Sequence, residues 1–428
     1  MSKHRLTELP SGERVISERV PGVRSVALGF WIGAGSRDEP EARAGVSHFI
    51  EHLLFKGSSR YSAQEIAEIF DELGGELNAA TSRETTVVYA RVPDDRLERA
   101  LDVMADMVFR PAFIDVDSER EVVLEEIAMV EDTPNDLVHD IAAEAVFGSH
   151  PLGRPVIGRA EVISSVSRRV LSGYHARAYR AQNVVLAAAG NVRHDELVAL
   201  LDERVDGASG GPGLAARKPA SGNGGPSVRF QQKDTEQYHV CLSAPGISRL
   251  DERRFAASIM DAIVGGSASS RLFQEIREKR GMAYSVYSYS SQYGDTGQIG
   301  VYAGTREDNV AECLEIAVAE IADLAAGNVR ADELARAKEN LKGRILLSLE
   351  STSARMTRLG KSTVTDTPLL TPEQIVKRLE AVTAAEVGEL ADALLAPERL
   401  SVAGIGPDER RFVEAVERVN PALLEKAA

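Results

Sequence analysis

Apolar runs and amphipathic stretches alternate along the chain and together predict sheets covered by helices. Short runs rich in β-branched and aromatic residues predict strands over 25–32, 85–92, 183–189, 238–243, 283–289 and 297–303. Apolar positions three and four residues apart predict amphipathic helices over 94–108 and 311–325. The hairpin-like spacing of successive strands favours largely antiparallel or mixed sheets. We therefore predict an α+β fold rather than a doubly wound parallel one.

Two sequence matches indicate an internal duplication. Val-Tyr-Ala occurs at 88–90 and again at 301–303, each time before a helical run, at an offset of 213 residues. Leu-Ala-Ala-Ala-Gly at 186–190 matches Leu-Ser-Val-Ala-Gly at 400–404, at an offset of 214 residues. Because the two matches are independent and share nearly one offset, they predict two homologous domains.

The middle of the chain has the composition of a flexible linker. Residues 207–226 are rich in Gly, Ser and Pro and contain few large apolar side chains. We therefore predict a first half over 1–206, a linker over 207–226 and a second half over 227–428. A length of 428 residues with 43% apolar residues is enough for two such domains.

Composition excludes several classes of function. With 65 acidic and 50 basic side chains the formal net charge is −15, which disfavours nucleic-acid binding. No apolar run is long enough to cross a bilayer and the first residues lack an apolar signal core, so we expect no membrane segment and a cytoplasmic location. Cys241 and Cys313 stand in no metal-binding spacing and are expected to be buried free thiols.

A predicted helix over 44–55 carries the strongest chemical signal in the sequence. His48 and His52 are four residues apart, so both imidazoles project from one face and can share one zinc ion. Glu51 stands one residue before His52, where its carboxylate can take a proton from a zinc-bound water without being a ligand. This is the HxxEH order, the inverse of HExxH. Two unpaired imidazoles on an otherwise apolar helix would need another reason to be there.

A catalytic zinc needs a third protein ligand, and a downstream helical segment can supply it. Glu119 and Glu126 are seven residues apart and share a face, so we predict Glu126 as the ligand and Glu119 as a carboxylate that orients the ligands or the water. Either glutamate taken alone could equally be a solvated helix residue, and Glu125 and Glu131 compete for the ligand position.

At these residues the chain resembles the inverzincin peptidases of the pitrilysin or insulinase family, and most closely their bacterial branch similar to mitochondrial processing peptidase. The motif from His48 to Gly57 looks like that family's zinc helix, and 119–126 looks like its third-ligand segment. The resemblance covers nearly the whole chain. It implies a zinc endopeptidase with one zinc per chain, which cleaves peptides or unfolded segments in a chamber enclosed by the two halves.

The resemblance also implies residues that bind the substrate. The segment 74–81 is similar to an edge strand that accepts the peptide as an added strand, with contacts expected from Asn78, Ala79, Ala80 and Phe55. Read without the family, Asn78 could be a turn residue.

In the second half, Arg277 and Tyr284 are similar to the family's pair that holds the substrate and polarises the scissile carbonyl. Taken alone, Arg277 could be part of an exposed, charged helix face.

The duplication assigns different roles to the two halves. An offset of 213 puts Asp261, Val264 and Gly265 opposite His48, Glu51 and His52, so the second half has no metal helix. We expect a catalytic first half and a substrate-holding second half. Two alternatives stay open, a non-catalytic partner subunit of the same fold and a zinc hydrolase of non-peptide substrates. Family members pair as homodimers or heterodimers, and a partner of either kind is expected.

Overall fold

The computed structural model describes residues 4–205, 213–220 and 225–425. Much of the predicted linker, 207–212 and 221–224, lies outside the described residues. The strands are β1 His4–Glu8, β2 Arg14–Arg19, β3 Ser25–Ile32, β4 Glu76–Thr81, β5 Thr86–Pro93, β6 Val184–Gly190, β7 Val228–Gln232, β8 Tyr238–Gly246, β9 Ala283–Gln292, β10 Gly297–Thr305 and β11 Ser401–Gly406.

The helices are α1 Val46–Leu54, α2 Ala63–Leu73, α3 Leu97–Phe109, α4 Val116–Glu131, α5 Pro134–Phe147, α6 Ala160–Ile163, α7 Arg168–Ala178, α8 His194–Asp202, α9 Arg254–Val264, α10 Val310–Ala325, α11 Ala331–Ser348, α12 Thr352–Val364, α13 Pro372–Ala381, α14 Ala384–Leu395, α15 Glu409–Val419 and α16 Ala422–Glu425. All six predicted strands and both predicted amphipathic helices are present, with ends that shift by a few residues.

The described strands form two mixed sheets whose strand orders correspond, except that β1 has no counterpart in the second sheet. The first sheet has the order β1-β2-β6-β3-β5-β4, and the second has the order β7-β11-β8-β10-β9. Strands β5 and β10, which contain the repeated Val-Tyr-Ala, each lie next to an edge strand. In each sheet one pair is parallel, β2 with β6 and β7 with β11, and the other pairs are antiparallel. The predicted α+β fold with two homologous domains is confirmed.

The chain divides into two compact units, each made of three segments. The first unit contains Met1–Ala128, Pro155–Lys218 and Leu346–Thr371. The second contains Met129–Arg154, Pro219–Ile345 and Pro372–Ala428. Each unit thus includes one helix from the other half of the chain, α12 in the first unit and α5 in the second. The predicted boundaries at 206 and 227 divide the chain into two consecutive halves, whereas each unit combines three separate segments. The boundaries therefore stay predictions.

Those two helices cover the outer faces of the sheets. In the first unit, Met356 and Leu359 of α12 pack on Trp31, and the Trp31 indole donates to the Met356 sulfur at 3.4 Å. In the second unit, Val138 and Ala142 of α5 pack on apolar residues of β8, β10 and β11. The inner face of each sheet forms the main core of its unit with the remaining helices.

Two further expectations concern single features. Cys241 and Cys313 are buried and free, as predicted. Within the part of the chain that the structure describes, no helix has the length and apolar character needed to cross a membrane.

Candidate metal centre

Helix α1 is fixed at its first turn by a buried carboxylate. Glu39 accepts hydrogen bonds from the backbone N–H groups of Gly45 and Ser47, both at 2.7 Å, and so satisfies donors that a helix start leaves unpaired. Gly45 has φ +97°, and a Cβ there would stand 2.7 Å from the Ile157 carbonyl oxygen. Phe49 and Ile50 are fully buried on the same helix. The helix therefore has little freedom to shift.

The two histidines of α1 and one glutamate of α4 converge on a single point. The Nε2 atoms of His48 and His52 lie 3.6 and 3.3 Å from the Oε2 atom of Glu126. Their ligand atoms all lie within 4.8 Å of one another. Three ligands at 2.0–2.2 Å from a tetrahedral ion stand about 3.3–3.6 Å apart, so the donor set and its spacing fit zinc.

The surroundings of His48 favour its neutral form, which can bind a metal ion. Burial, together with the nearby His52, lowers the pKa of His48 to about 4. Its Nδ1 atom is buried and has no hydrogen-bond partner among the residues that the structure describes. An imidazole that stays unprotonated at neutral pH keeps a lone pair available for a metal ion.

His52 is held in orientation by a chain of charged groups. Its Nδ1 atom lies 2.9 Å from Oε1 of Glu119, which leaves Nε2 facing Glu126. The other oxygen of Glu119 is 2.6 Å from the Lys56 ammonium, and the Glu119 side chain is only 5% exposed. A carboxylate that fixes the ring of a metal-binding histidine is a common support in such sites, and here Lys56 fixes the carboxylate in turn.

Glu51 lies beside the cluster and outside its donor set. The Thr81 hydroxyl donates a hydrogen bond to its Oε2 atom. Burial raises the pKa of Glu51, and the hydrogen bond from Thr81 opposes part of that rise. A partly desolvated carboxylate with one fixed oxygen can accept a proton at the other.

The competing carboxylates occupy other positions. Among the described residues, the only group with metal-binding geometry consists of His48, His52 and Glu126, and neither Glu125 nor Glu131 belongs to it. All three donor residues lie in the first unit.

The segment predicted to receive a peptide forms an edge strand. Strand β4 pairs with β5 on one side, and no described strand pairs with its other side. Asn78 and Ala80 are exposed, whereas Ala79 and Phe55 are half-buried against the core. The strand ends at Thr81, which contacts Glu51, so the free edge runs up to the candidate centre.

Arg277 and Tyr284 lie together in the second unit. The Arg277 guanidinium donates to the Tyr284 carbonyl oxygen at 2.9 Å and lies 4.5 Å from the centroid of the Tyr284 ring. The Tyr284 side chain is 79% exposed, which is unusual for a large aromatic residue. Arg277 lies on a π-helical segment, Phe273–Glu278, where functional residues are often found.

Sequence reasoning missed two residues that contact this centre. Lys56 lies just beyond the end of α1, and its pairing with Glu119 depends on the packing of α4 against α1. Thr81 is the last residue of β4, and its contact with Glu51 joins two segments thirty residues apart.

Comparison with known proteins gives matches along most of the chain. Residues 14–160 match the family model described as Insulinase (Peptidase family M16), and 165–341 match that described as Peptidase M16 inactive domain. The chain is 43% identical to an uncharacterized zinc protease of Mycobacterium leprae, covering 94% of this chain and 91% of that protein. It is 40% identical to the uncharacterized zinc protease YmxG of Bacillus subtilis, covering 93% and 97%.

A solved structure agrees in fold. A Pseudomonas fluorescens protein described as a peptidase M16 inactive domain superposes with a TM-score of 0.88, covering 95% of this chain and 98% of that chain. Its identity is 24%, so this likeness concerns the fold alone. The matches to the two relatives that are similar in sequence cover nearly the whole length of the chain. On that similarity, the chain belongs to the insulinase family of peptidases, peptidase family M16.

Proposed function

We propose that this chain is a zinc-dependent endopeptidase that cleaves peptides or unfolded segments. The observation that carries the proposal is the convergence of His48, His52 and Glu126 next to a carboxylate, Glu51, that is not part of the donor set. In this proposal the three donors hold one zinc ion per chain. When bound, zinc supplies a Lewis acid that lowers the pKa of water and polarises a carbonyl oxygen.

Glu51 is the proposed general base and acid. It takes the proton of the attacking water and then returns it to the nitrogen of the leaving amine. Thr81 holds one oxygen of Glu51, so the other oxygen is the one that exchanges the proton. Glu119 and Lys56 keep the His52 ring oriented throughout.

The free edge of β4 is the proposed binding site for the substrate backbone. An extended peptide can pair with the outward-facing backbone groups of β4 along Asn78, Ala79 and Ala80, which gives affinity with little demand on sequence. The Ala79 N–H donates to the Asn78 Oδ1 atom at 2.8 Å, a bond that a substrate carbonyl would replace. Phe55 is the proposed side-chain contact. Folded proteins should be poor substrates, because their backbones are already paired.

Arg277 and Tyr284 are the proposed donors to the substrate carbonyl. The Tyr284 hydroxyl would stabilise the oxyanion that forms during attack, and Arg277 would hold the tyrosine and the substrate. Their mutual contact supports a joint role, since the guanidinium lies over the ring and binds the same residue's carbonyl. Pairing with a second subunit, identical or related, stays a prediction.

Substitution of Glu51 by Gln tests the mechanism. The amide keeps the size of the side chain but cannot accept the proton, so kcat/KM for a peptide should fall at least about 100-fold while the zinc content stays at one per chain. Full hydrolysis by the zinc-loaded Glu51→Gln chain would contradict the role of Glu51.

The wild-type chain must be assayed on a mixed peptide library, with its cleavage sites mapped. If zinc-loaded wild type cleaves no peptide, the alternative of a non-catalytic partner subunit is favoured. If it hydrolyses only non-peptide compounds, the peptidase proposal fails while the zinc site stands.

A further inference from the structure

A cavity in the first unit lies apart from the candidate metal centre and contains three arginines. It has a volume of about 310 Å³ and lies where β3 ends, beside the C-terminal end of α7 and the segment 213–217. Its charged lining consists of Arg177, Arg180, Arg217 and Asp38. None of the proposed zinc or proton-transfer residues belongs to it.

One of the three arginines is fully engaged. Arg217 forms a two-pronged ion pair with Asp38, through contacts of 2.8 and 2.9 Å. It also donates to the carbonyl oxygens of Gly33 and Glu84 at 3.1 and 2.8 Å. Among the described residues, Asp38 is the only carboxylate that lines the cavity, and both of its oxygens contact Arg217.

The other two guanidiniums have no hydrogen-bond acceptor in the part of the chain that the structure describes. Within residues 4–205, 213–220 and 225–425, the guanidinium of neither Arg177 nor Arg180 makes a hydrogen bond or an ion pair. The Nε atoms of both are buried and unbonded. Two like charges that share a cavity without a counter-charge repel one another, and a buried donor without an acceptor is destabilising. This is unusual in a chain with a net charge of −15, where carboxylates outnumber basic groups.

We propose that this cavity binds a small oxyanion through Arg177 and Arg180. The guanidinium group matches the geometry of carboxylate and phosphate oxygens and can bind either with two parallel hydrogen bonds. A water molecule takes up about 30 Å³ in the liquid, so the cavity has room for a small anion and part of its hydration shell. The ligand class is therefore a phosphate or a small carboxylate.

The test is isothermal titration of the zinc-loaded full chain with inorganic phosphate and, in a second arm, with succinate. Sodium chloride at matched ionic strength serves as the reference, because screening alone affects every charged group. The wild type should show saturable binding of one anion per chain in at least one arm. The Arg177→Gln, Arg180→Gln double variant should weaken that binding at least about tenfold, in line with the loss of charge-assisted hydrogen bonds.

Arg96→Gln is the matched control, since it removes an exposed arginine of the same unit that lies outside the cavity. It should bind the anion as the wild type does. If the double variant fails to fold, the Arg177→Lys, Arg180→Lys variant keeps the charge, loses the planar fork and should show weakened binding.

Binding of phosphate alone, or of succinate alone, supports the site and identifies its ligand class. Absence of saturable binding by the wild type in both arms overturns the proposal. Equal binding by the wild type and the folded arginine variants also overturns it, because the anion would then lie elsewhere, for instance at zinc.

Discussion

Helices α1 and α9 occupy corresponding positions in the two repeats and differ in their chemistry. Helix α1 carries His48, Glu51 and His52, whereas the residues at an offset of 213 on and after α9 are Asp261, Val264 and Gly265. Both helices are buried against the inner face of their own sheet. The fold is therefore shared, and the capacity to bind a metal ion depends on a few side chains that only one repeat contains.

Asp261 shows what remains at that position without histidines. It is a buried carboxylate, and burial raises its pKa. No described residue forms a hydrogen bond with its Oδ1 atom. Gly265, opposite His52, is where the backbone of β9 approaches closely, because a Cβ there would stand 2.2 Å from the Ser288 nitrogen. Space that α1 uses for an imidazole is occupied by a strand in the second repeat.

The largest effect should follow from removing a ligand of the first repeat. His52→Ala removes one of two imidazole donors, so kcat/KM should fall on the order of 10³-fold or more, and zinc should bind much more weakly. Asp261→Asn, at the corresponding place in the second repeat, should leave the kcat/KM of the folded protein unchanged. An equal loss in both variants would mean that the repeats do not differ in the way described.

A smaller loss should follow from Tyr284→Phe, which keeps the ring and removes the hydroxyl. If Tyr284 stabilises the oxyanion, kcat should fall about 100-fold while KM changes little. Zinc content, measured in parallel, should stay at the wild-type value because Tyr284 lies in the second unit. An unchanged kcat would mean that the Tyr284 hydroxyl takes no part in the reaction. The second repeat would then have a structural role.

Glu119→Gln should weaken zinc binding without abolishing it. The amide can still contact His52 but carries no charge, so zinc affinity should fall about 10–100-fold. Competition with a chelator of known zinc affinity measures this directly. Wild-type affinity in this variant would show that the His52–Glu119 contact does not support the metal.

The mildest effect is expected at Lys56, which acts on His52 only through Glu119. Lys56→Met keeps an unbranched side chain of similar length and removes the charge. Zinc affinity should fall about 3–10-fold, less than in Glu119→Gln. Lys56→Arg should restore most of the affinity, because a guanidinium can bind the same carboxylate oxygen. If Lys56→Met and wild type bind zinc with the same affinity, Lys56 does not support the metal through Glu119.

The sequence predicted helix α1 and the shared face of its two histidines because that information is local. The i, i+4 spacing of His48 and His52 fixes their shared face in any helix, and the apolar positions around them identify that helix. The predicted family is confirmed by the relatives at 40–43% identity. The predicted fold class is confirmed by the two mixed sheets. It was predictable because strand and helix periods are local signals, and because the repeat can be found by comparing two stretches of sequence.

Features that depend on tertiary packing were not predictable in the same way. The amphipathic period of α5 and α12 shows that each helix buries one face. It does not show that each helix covers the sheet formed by the other half of the chain. Likewise, Lys56 and Thr81 reach Glu119 and Glu51 only after α4 and β4 have packed against α1. The unpaired Arg177 and Arg180 also become visible only when the cavity that contains them has formed.

The most direct test of the metal centre is zinc X-ray absorption spectroscopy on the wild-type chain loaded with one equivalent of zinc. The signal from the atoms bound to zinc should correspond to two imidazole nitrogens together with oxygen donors and no sulfur, and one imidazole contribution should disappear in His52→Ala at saturating zinc. A sulfur contribution from Cys241 or Cys313, or a wild-type signal that is unchanged in His52→Ala, would contradict a zinc site at His48, His52 and Glu126.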